Sequence, residues 1–254
     1  MEKENTEPVV LIDGDSLLYF EMGKNTLEEA LLGIDERIMN MLDAGKTKRY
    51  AGFLTIGKCF RYKEAKTRIY KGNRKRGSKP IIFYALAEYL KQHWQFTYVS
   101  ALEADDLVAI YSAEYPAALI CSPDKDVLHQ VEASHYNYRT SKYITTTTKQ
   151  SDTFLWKQML MGDSTDGIVG IPKLGVKTAD KMLDPLKTKD MPTFVLNKYI
   201  ETFGIHEGIS KFGETFKLVY ILRSRKEALL ETGIELDDLV INKVETAESD
   251  ELWA

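Results

Sequence analysis

The sequence predicts an α/β protein in which helices flank a mostly parallel sheet. Through about residue 150, short apolar runs typical of strands alternate with segments that have the 3.6-residue period of amphipathic helices. Such alternation is typical of parallel sheets, because a crossover helix returns the chain to the same edge. From residue 152 onward only the helical period continues, which predicts a helical region after the sheet.

The predicted elements follow one another along the chain. Strands are predicted over 9–12, 50–54, 96–99 and 117–121, and helices over 26–44, over 81–94 and from Glu103 onward. Residues 135–148 alternate aromatic or β-branched residues with polar ones around Ser141, which predicts a β-hairpin. In the helical region the period is carried by FLWKQMLM, KTADKMLD, TFVLNKYIETF and ETFKLVYILRSR.

Length and composition fit one large α/β domain, or a core with an appended helical part. Of the 254 residues, 44% are hydrophobic and 28% charged, and no apolar run reaches the length of a membrane span. The charged N-terminus has no apolar signal region. Two cysteines are too few for a disulfide framework, and four scattered histidines make no zinc pattern. These features predict a cytoplasmic protein without a membrane partner.

The net charge of −4 conceals a strong asymmetry along the chain. Residues 58–80, which we call the basic strip, contain ten cations and one acid, whereas residues 231–254 contain eight acids and one lysine. A charge run is the ordinary composition of a solvated surface, but a basic strip of this density also displaces counterions from nucleic-acid phosphates. We interpret the strip as a nucleic-acid contact and the acidic end as a solvated tail.

Carboxylates occur in four segments where predicted strands end or helices begin. Side chains at the carboxyl ends of parallel strands face the usual ligand crevice, whereas acids in a first helical turn are often only partners of the helix dipole. Four such segments favour a shared divalent-metal site, because Mg²⁺ and Mn²⁺ prefer oxygen ligands and the like charges would otherwise repel. The acids are Asp13, Asp15, Glu103, Asp105, Asp106, Asp124, Asp126, Asp163 and Asp166.

Residues 161–179, MGDSTDGIVGIPKLGVKTA, form the most informative segment. Asp163 and Asp166 are three residues apart and can lie on one helical face or in a tight loop. Glycines and Pro172 then enforce turns and leave backbone N–H groups free to face an anion before a helix begins. Lys173 and Lys177 flank that start. An ordinary polar loop has the same glycines and proline, but the adjacent acids favour metal and phosphate binding.

In their order along the chain, these motifs resemble those of the 5′-nuclease superfamily, which includes flap endonucleases, phage 5′-exonucleases and the 5′-nuclease domain of bacterial DNA polymerase. The resemblance covers about residues 9–183, from DGDS through YKGNR, EADD, SPDKD and GDSTD to IPKLGVKTA. It implies a PIN-like 5′-nuclease sheet and a helix–three-turn–helix that grips duplex DNA by its backbone. We expect a nuclease core over 1–150 with flexible residues 1–8, a helix–three-turn–helix region over 151–230 and an acidic tail over 231–254.

The resemblance also implies two or more Mg²⁺ or Mn²⁺ ions that assist hydrolysis of a DNA phosphodiester by water. Asp106 is expected to bridge the ions or to orient their ligands. Asp13 and Asp106 are each predicted to be both metal ligands and catalytic residues. The ligands expected at the first ion are Asp13, Glu103, Asp105 and Asp124, and those expected at the second are Asp126, Asp163 and Asp166.

Contacts to DNA are expected from the basic strip and from the glycine-rich turn. Lys71 and Arg74 are expected over the scissile phosphate, and Tyr70 is expected either to stack on the base beside the cut or to pack in the interior. The resemblance further implies a K⁺ ion held by carbonyls of the turn. The remaining expected contacts are Lys75, Arg76, Gly170, Lys173, Gly175, Lys177 and Thr178.

The chain departs from the family pattern in two places. Many relatives have an aspartate ligand after the second strand, where this chain has Thr55 or Ile56. The segment between Arg74 and Glu103 has room for only one helix and one strand, which predicts a reduced or open helical arch.

Three functions fit these features. The first is a monomeric 5′-nuclease of replication or repair, in a bacterium or a phage-infected host, acting on duplex DNA with a 5′ end, flap or nick. The second is a PIN-like ribonuclease that cuts RNA or removes RNA primers from RNA/DNA hybrids. The third is a DNA-structure binder with weak catalysis. The helix–three-turn–helix motif favours DNA, and the many retained acids favour an enzyme, so the first is our prediction.

Overall fold

The computed structural model describes residues 6–73 and 79–244. The predicted DNA contacts Arg74, Lys75 and Arg76 lie outside the described residues, as do residues 1–5 of the predicted flexible start and 245–254 of the predicted tail. Among the described helices, none combines the length and the apolar character needed to cross a membrane.

The strands and helices alternate through the first part of the chain, and helices dominate the second. The strands are β1 Val9–Asp13, β2 Arg49–Cys59, β3 Thr97–Ala101, β4 Ala118–Cys121, β5 Ala133–Asn137, β6 Lys142–Thr146, β7 Gly162–Asp163, β8 Ile168–Val169 and β9 Asn242–Lys243. The helices are α1 Gly14–Glu21, α2 Leu27–Gly45, α3 Arg61–Glu64, α4 Ile81–Gln92, α5 Ala104–Glu114, α6 Lys125–Gln130, α7 Thr148–Met161, α8 Val176–Leu183, α9 Met191–Phe203, α10 Ile205–Val219 and α11 Arg225–Thr232.

The predicted α/β class and mostly parallel sheet are confirmed. Strands lie in the order β3-β2-β1-β4-β5-β6, and β9 pairs with the start of β2. The first five strands of the chain pair in parallel, whereas β6 runs antiparallel to β5 as the predicted hairpin and β9 runs antiparallel to β2. Strand β1 is buried along its whole length, as expected for a central strand covered on both faces.

Two apolar layers cover the sheet, and a third fills the helical region. Residues of α5 form one layer, and α1, α2 and α4 form the other. The third layer joins α7 to α10 around Met159, Leu183 and Tyr199, and it also includes Cys59 and Tyr70. The helical region therefore packs directly against the segment that follows β2.

Helix α1 begins immediately after β1, which the sequence analysis did not predict. A Cβ atom at Gly14 would lie 2.6 Å from the carbonyl oxygen of Phe53, so only glycine allows this close start beside β2. The strand β2 is also longer than predicted, reaching Cys59 through an irregularity that includes Gly57 with φ of +74°. Both differences shape the end of the sheet where the acids lie.

The prediction of a solvated tail from residue 231 is wrong for the described part of that segment. Leu236, Leu239 and Ile241 pack against the layer formed with α5, and β9 pairs with β2. Arg225 donates hydrogen bonds to the carbonyl oxygens of Leu236 and Asp237, at 3.0 Å each. Apolar residues spaced among the acids thus bind this segment to the core.

Candidate active site

The carboxyl ends of β1 and β4 bring the first acids together. Asp13 caps α1, because its Oδ1 accepts hydrogen bonds from the backbone N–H groups of Asp15 at 3.1 Å and Ser16 at 3.4 Å. Ser122, directly after β4, donates to Asp13 Oδ2 at 2.8 Å. Asp124 caps α6 by accepting from the Asp126 N–H at 2.7 Å. Since β1 and β4 are adjacent and parallel, both caps lie at one edge of the sheet.

Glu103 lies at the start of α5 and is held by three side chains. The Tyr70 hydroxyl donates to Glu103 Oε2 at 2.9 Å, and Arg61 Nη1 lies 3.1 Å from the same oxygen. Lys71 Nζ forms an ion pair with Glu103 Oε1. Burial opposes ionisation of Glu103, but Arg61, Lys71 and Tyr70 outweigh it and lower the pKa of Glu103 below its ordinary value. These three partners therefore favour the ionised carboxylate.

Asp163 ends β7 and Asp166 lies in the turn between β7 and β8, so both belong to a tight hairpin and not to a helical face. Asp163 Oδ1 accepts from the Thr165 N–H at 2.7 Å, and Asp163 Oδ2 accepts from Lys125 Nζ at 2.7 Å. Asp166 Oδ2 lies 3.8 Å from Lys71 Nζ. The hairpin thus brings both acids to the side of Glu103.

The predicted acids divide between two adjoining recesses. The acid cleft is an open cavity of about 340 Å³, whose carboxylates are Asp13, Asp15, Glu103, Asp105 and Asp124. The inner recess is smaller, about 30 Å³, and its carboxylates are Glu103, Asp105, Asp126, Asp163 and Asp166. Glu103 and Asp105 line both, so the two recesses share these two carboxylates.

Burial and mutual repulsion make several of these groups hard to ionise. Burial, together with the charges of Asp15 and Asp124, raises the pKa of Asp13 to about 6. Burial and Asp124 raise the pKa of Asp126 to about 7. Burial also raises the pKa of Asp105, next to Glu103 and Asp106. Asp163 differs, because hydrogen bonds from Lys125 and nearby backbone overcome the effect of burial and lower its pKa.

This donor set fits hard divalent cations. The donors are carboxylate oxygens. Burial, and after it the repulsion of neighbouring acids, raises the pKa of Asp13 and of Asp126, and a bound cation would stabilise their ionised forms. Within the described residues, no three His, Cys, Asp or Glu side chains already enclose one metal position. A cation such as Mg²⁺ commonly keeps several water ligands, so a partial set of carboxylates suits it.

Asp106 does not fit the predicted role of a ligand that bridges two ions. It is fully buried, and its two oxygens accept hydrogen bonds from Arg61 at 2.8 and 2.7 Å. They also accept from the backbone N–H groups of Glu103 and Leu222, each at 3.0 Å. These bonds leave Asp106 as an orienting group, which fixes the start of α5 where Glu103 and Asp105 lie. The residue type alone gave no signal for Arg61.

Tyr70 lies in the interior, so its expected stacking on a base is not available. The side chain is 4% exposed, and its ring packs edge-on against Tyr62 at 5.3 Å between centroids. Tyr19 on α1 also lines the acid cleft, and its side chain is 47% exposed. Tyr19 is not among the residues predicted from the sequence, because α1 was not predicted. Lys79, whose Nζ lies 5.6 Å from the Tyr19 ring centroid, lines the same cleft.

The predicted contacts of the glycine-rich turn differ in exposure. Lys173, Gly175, Lys177 and Thr178 are exposed around the start of α8. Gly170 is buried, and a Cβ atom there would lie 2.3 Å from the backbone nitrogen of Gly162, so this glycine closes the β7–β8 hairpin. Gly170 is therefore a packing residue and not an open DNA contact.

Thr55 and Ile56, the two candidates for the position of the expected aspartate, differ in their surroundings. Thr55 Oγ1 accepts from the Ala104 N–H at 2.9 Å, and the Thr55 N–H donates to Asp15 Oδ1 at 2.9 Å. Thr55 lines the acid cleft, whereas Ile56 is 45% exposed and does not. Asp15 thus lies within the cleft, held by the backbone of Thr55.

No family model matches the chain. The 5′-3′ exonuclease of Buchnera aphidicola (subspecies Acyrthosiphon pisum) is 29% identical over 236 residues, which are 83% of this chain and 77% of that relative. The exodeoxyribonuclease of enterobacteria phage T3 is 30% identical over 123 residues, 46% of this chain and 41% of the phage protein.

The fold is also similar to solved structures. The flap endonuclease of bacteriophage T5, in complex with DNA and metal ions, has a TM-score of 0.56 at 17% identity, covering 84% of this chain and 99% of that one. The eukaryotic junction-resolving enzyme GEN-1 with potassium has a TM-score of 0.53 at 12% identity, covering 92% and 62%. The named relatives and the shared fold support the predicted resemblance of the chain to the 5′-nuclease superfamily.

Proposed function

We propose that this protein is a divalent-metal-dependent 5′-nuclease that hydrolyses phosphodiester bonds of DNA, as a 5′-3′ exonuclease, a flap endonuclease or both. The observation that carries the proposal is that acids from four distant segments converge on two recesses that share Glu103 and Asp105. The exposed lysines at the start of α8 supply a second, separate surface for DNA. The names of the relatives support the same activity.

Two Mg²⁺ or Mn²⁺ ions suit the two recesses. Bound divalent ions would lower the pKa of a water nucleophile and stabilise the leaving 3′-oxygen, so that the product carries a 5′-phosphate. Asp106, bound to Arg61, keeps Glu103 and Asp105 facing the recesses. The residues proposed to hold the ions are Asp13, Glu103, Asp105 and Asp124 in the acid cleft, and Asp126, Asp163 and Asp166 in the inner recess.

Lys71 provides a fixed positive charge at the junction of the recesses. Its ammonium group lies between Glu103 and Asp166. Burial would lower the pKa of Lys71, but Glu103, Asp166 and Asp105 outweigh burial and raise it above its ordinary value. A charge held in place before reaction stabilises developing negative charge on a phosphate without reorganisation. We assign Lys71, with Arg74, to the scissile phosphate, and Tyr19 to stacking on an adjacent base.

The start of α8 is proposed to hold the duplex backbone. Lys173, Lys177 and Thr178 surround the N-terminus of the helix, where backbone N–H groups favour phosphate. Lys75 and Arg76 of the basic strip are proposed as further DNA contacts. A K⁺ ion coordinated by carbonyls of residues 164–175 would strengthen the same grip, and the potassium named with GEN-1 supports that assignment. The proposed substrate is duplex DNA with a 5′ end, flap or nick, bound by a monomer.

The test is cleavage of a 5′-labelled flap and of a nicked duplex in Mg²⁺, Mn²⁺ or EDTA. We expect cleavage with either ion, products with a 5′-phosphate and no cleavage in EDTA. Glu132→Gln is a suitable control, because Glu132 is exposed and lines neither recess. Cleavage that persists in EDTA would contradict the proposal, and a strong preference for an RNA strand would favour a ribonuclease.

A further inference from the structure

Residues 65–73, which we call the lysine segment, carry Tyr70 and Lys71 to the recesses without belonging to a helix or strand. The far end is fixed to the β7–β8 turn: the Lys71 N–H donates to the Asp166 carbonyl at 2.7 Å, and Asn73 Nδ2 donates to the Ser164 carbonyl at 2.6 Å. Lys71 has a φ of +53°, a left-handed conformation that a lysine keeps only where its surroundings hold it. The position of Lys71 therefore depends on how both ends of the segment are anchored.

A single carboxylate from the helical region anchors the near end. Glu214 Oε1, on α10, accepts hydrogen bonds from the backbone N–H groups of Lys66 at 2.7 Å and Thr67 at 2.6 Å. Glu214 Oε2 accepts from the Thr67 hydroxyl at 2.7 Å. Bonds to an ionised acceptor are stronger than neutral ones. Glu214 thus accepts hydrogen bonds from three donors of a segment that has no β-sheet or helical partners for them.

The contact continues along one face of α10. Glu214 and Lys217 are three residues apart, and Tyr220 follows three residues later, so they face the same neighbour. Lys217 Nζ lies 3.3 Å from Glu64, and the Tyr220 carbonyl accepts from Arg61 Nη2 at 2.7 Å. This face of α10 therefore follows the chain from Arg61 to Thr67. The half-exposed Lys217 pair adds little energy, which leaves Glu214 as the main anchor of the lysine segment.

We infer that Glu214 is a positioning residue, which sets the placement of Lys71 at the recesses from the helical region. The inference rests on the proposed nuclease function. Glu214 lines neither recess, and its hydrogen bonds to Lys66 and Thr67 connect it to the reaction through the lysine segment. Since the lysines proposed to hold the duplex surround the start of α8 and are not anchored by Glu214, loss of this anchor lowers turnover much more than substrate affinity.

The experiment compares Glu214→Ala and Glu214→Gln with wild type on the flap substrate in Mg²⁺. We expect Glu214→Ala to lower kcat about 10-fold or more with KM within about 2-fold, because small misplacements of catalytic groups cost up to about 100-fold. Glu214→Gln keeps one acceptor oxygen and should recover most of the rate. Glu207→Ala is the matched control, since Glu207 lies on the same helix and its ion pair is with Lys211 of that helix. Thermal unfolding checks that each variant is folded.

A double-mutant cycle with Lys71→Ala separates positioning from general destabilisation. If Glu214 acts through Lys71, adding Glu214→Ala to Lys71→Ala changes kcat by less than about 2-fold, because coupled residues are not additive. An equal loss in both backgrounds would overturn the inference, as would an unaffected Glu214→Ala enzyme. A wild-type protein that does not cleave DNA at all would instead overturn the proposed function.

Discussion

The acid recesses and the start of α8 show opposite balances of charge and burial. The recesses hold buried carboxylates, and the pKa of Asp13 and that of Asp126 are raised because the groups desolvate and repel one another. Around the start of α8, lysines lie on an exposed helix end where water screens them. Buried charges lose solvation free energy when the protein folds, and their fixed positions suit catalysis. Exposed charges keep their solvation and suit binding of the DNA backbone. Substitutions in the two regions should therefore differ in size and in the step they affect.

The largest effect is expected in the acid cleft. Asp124→Ala should lower turnover by about 1,000-fold or more, because it removes a proposed metal ligand needed in the transition state. Duplex affinity in EDTA should change little, and removing a negative charge can even strengthen it. Single-turnover cleavage and a binding titration measure the two quantities. A variant that cuts at the wild-type rate would exclude Asp124 from the site.

Lys71→Ala should cost about 100-fold in turnover, since one preorganised charge at a reacting centre typically contributes a few kcal/mol. Affinity for the flap should fall much less. The comparison is with Lys149→Ala, an exposed lysine of α7 that lines neither recess. A loss confined to KM would show that Lys71 contributes to DNA binding and not to the chemical step.

The raised pKa of Asp126 predicts a dependence on pH. Protons compete with metal for this carboxyl below its pKa of about 7, so the Mg²⁺ concentration for half-maximal activity should rise steadily from pH 8 to pH 6. In EDTA, the ionised group opposes folding by an amount that grows as the pH rises from about 4 to about 7.

Asp126→Asn in EDTA should therefore have a higher Tm than wild type at pH 8, and the difference should shrink towards pH 5. The same variant should cut poorly. Thermal unfolding across this pH range measures the difference, with Glu132→Gln as the control. A stability gain that does not change with pH would show that burial and neighbouring acids do not disfavour the ionised form of Asp126.

At the start of α8, Lys173→Ala or Lys177→Ala should weaken binding a few-fold and nearly equally across sequences. Each substitution should lower the slope of log affinity against log salt by about one unit, as expected for one lost phosphate contact. Binding titrations at several salt concentrations test this. A loss that depends on base sequence would contradict a backbone grip.

The smallest effect is expected from a blocked 5′ end. Helix α4 packs on the core through Phe83, Leu86 and Leu90, so it is not a free-standing part of an arch. Streptavidin on a 5′-biotinylated flap should therefore change the cleavage rate by less than about 2-fold. Complete inhibition would mean that the strand must thread through a closed arch.

The sequence predicted where β1 and β4 end, but it predicted the end of β2 and the orientation of side chains poorly. Asp13 and Asp124 follow apolar strands, so the topology of a parallel sheet was enough to bring them together. Glu103 and Asp106 share one helical turn, and which of them faces the recess depends on Arg61 and on the backbone of Leu222, far away in sequence. Tyr70 is buried because the helical region packs on it, which no local pattern encodes.

The pairing of β9 with β2 has a consequence for the order in which the chain can fold. Arg49 and Tyr50 pair with Lys243 and Asn242, which are far away in sequence. During synthesis the first strands emerge long before β9, and loop closure over such a distance is slow. The start of β2 therefore remains an open edge until residues 242–243 have been synthesised. Premature termination before this strand leaves a nascent enzyme with an unpaired edge, the kind of surface that chaperones shield and that otherwise aggregates.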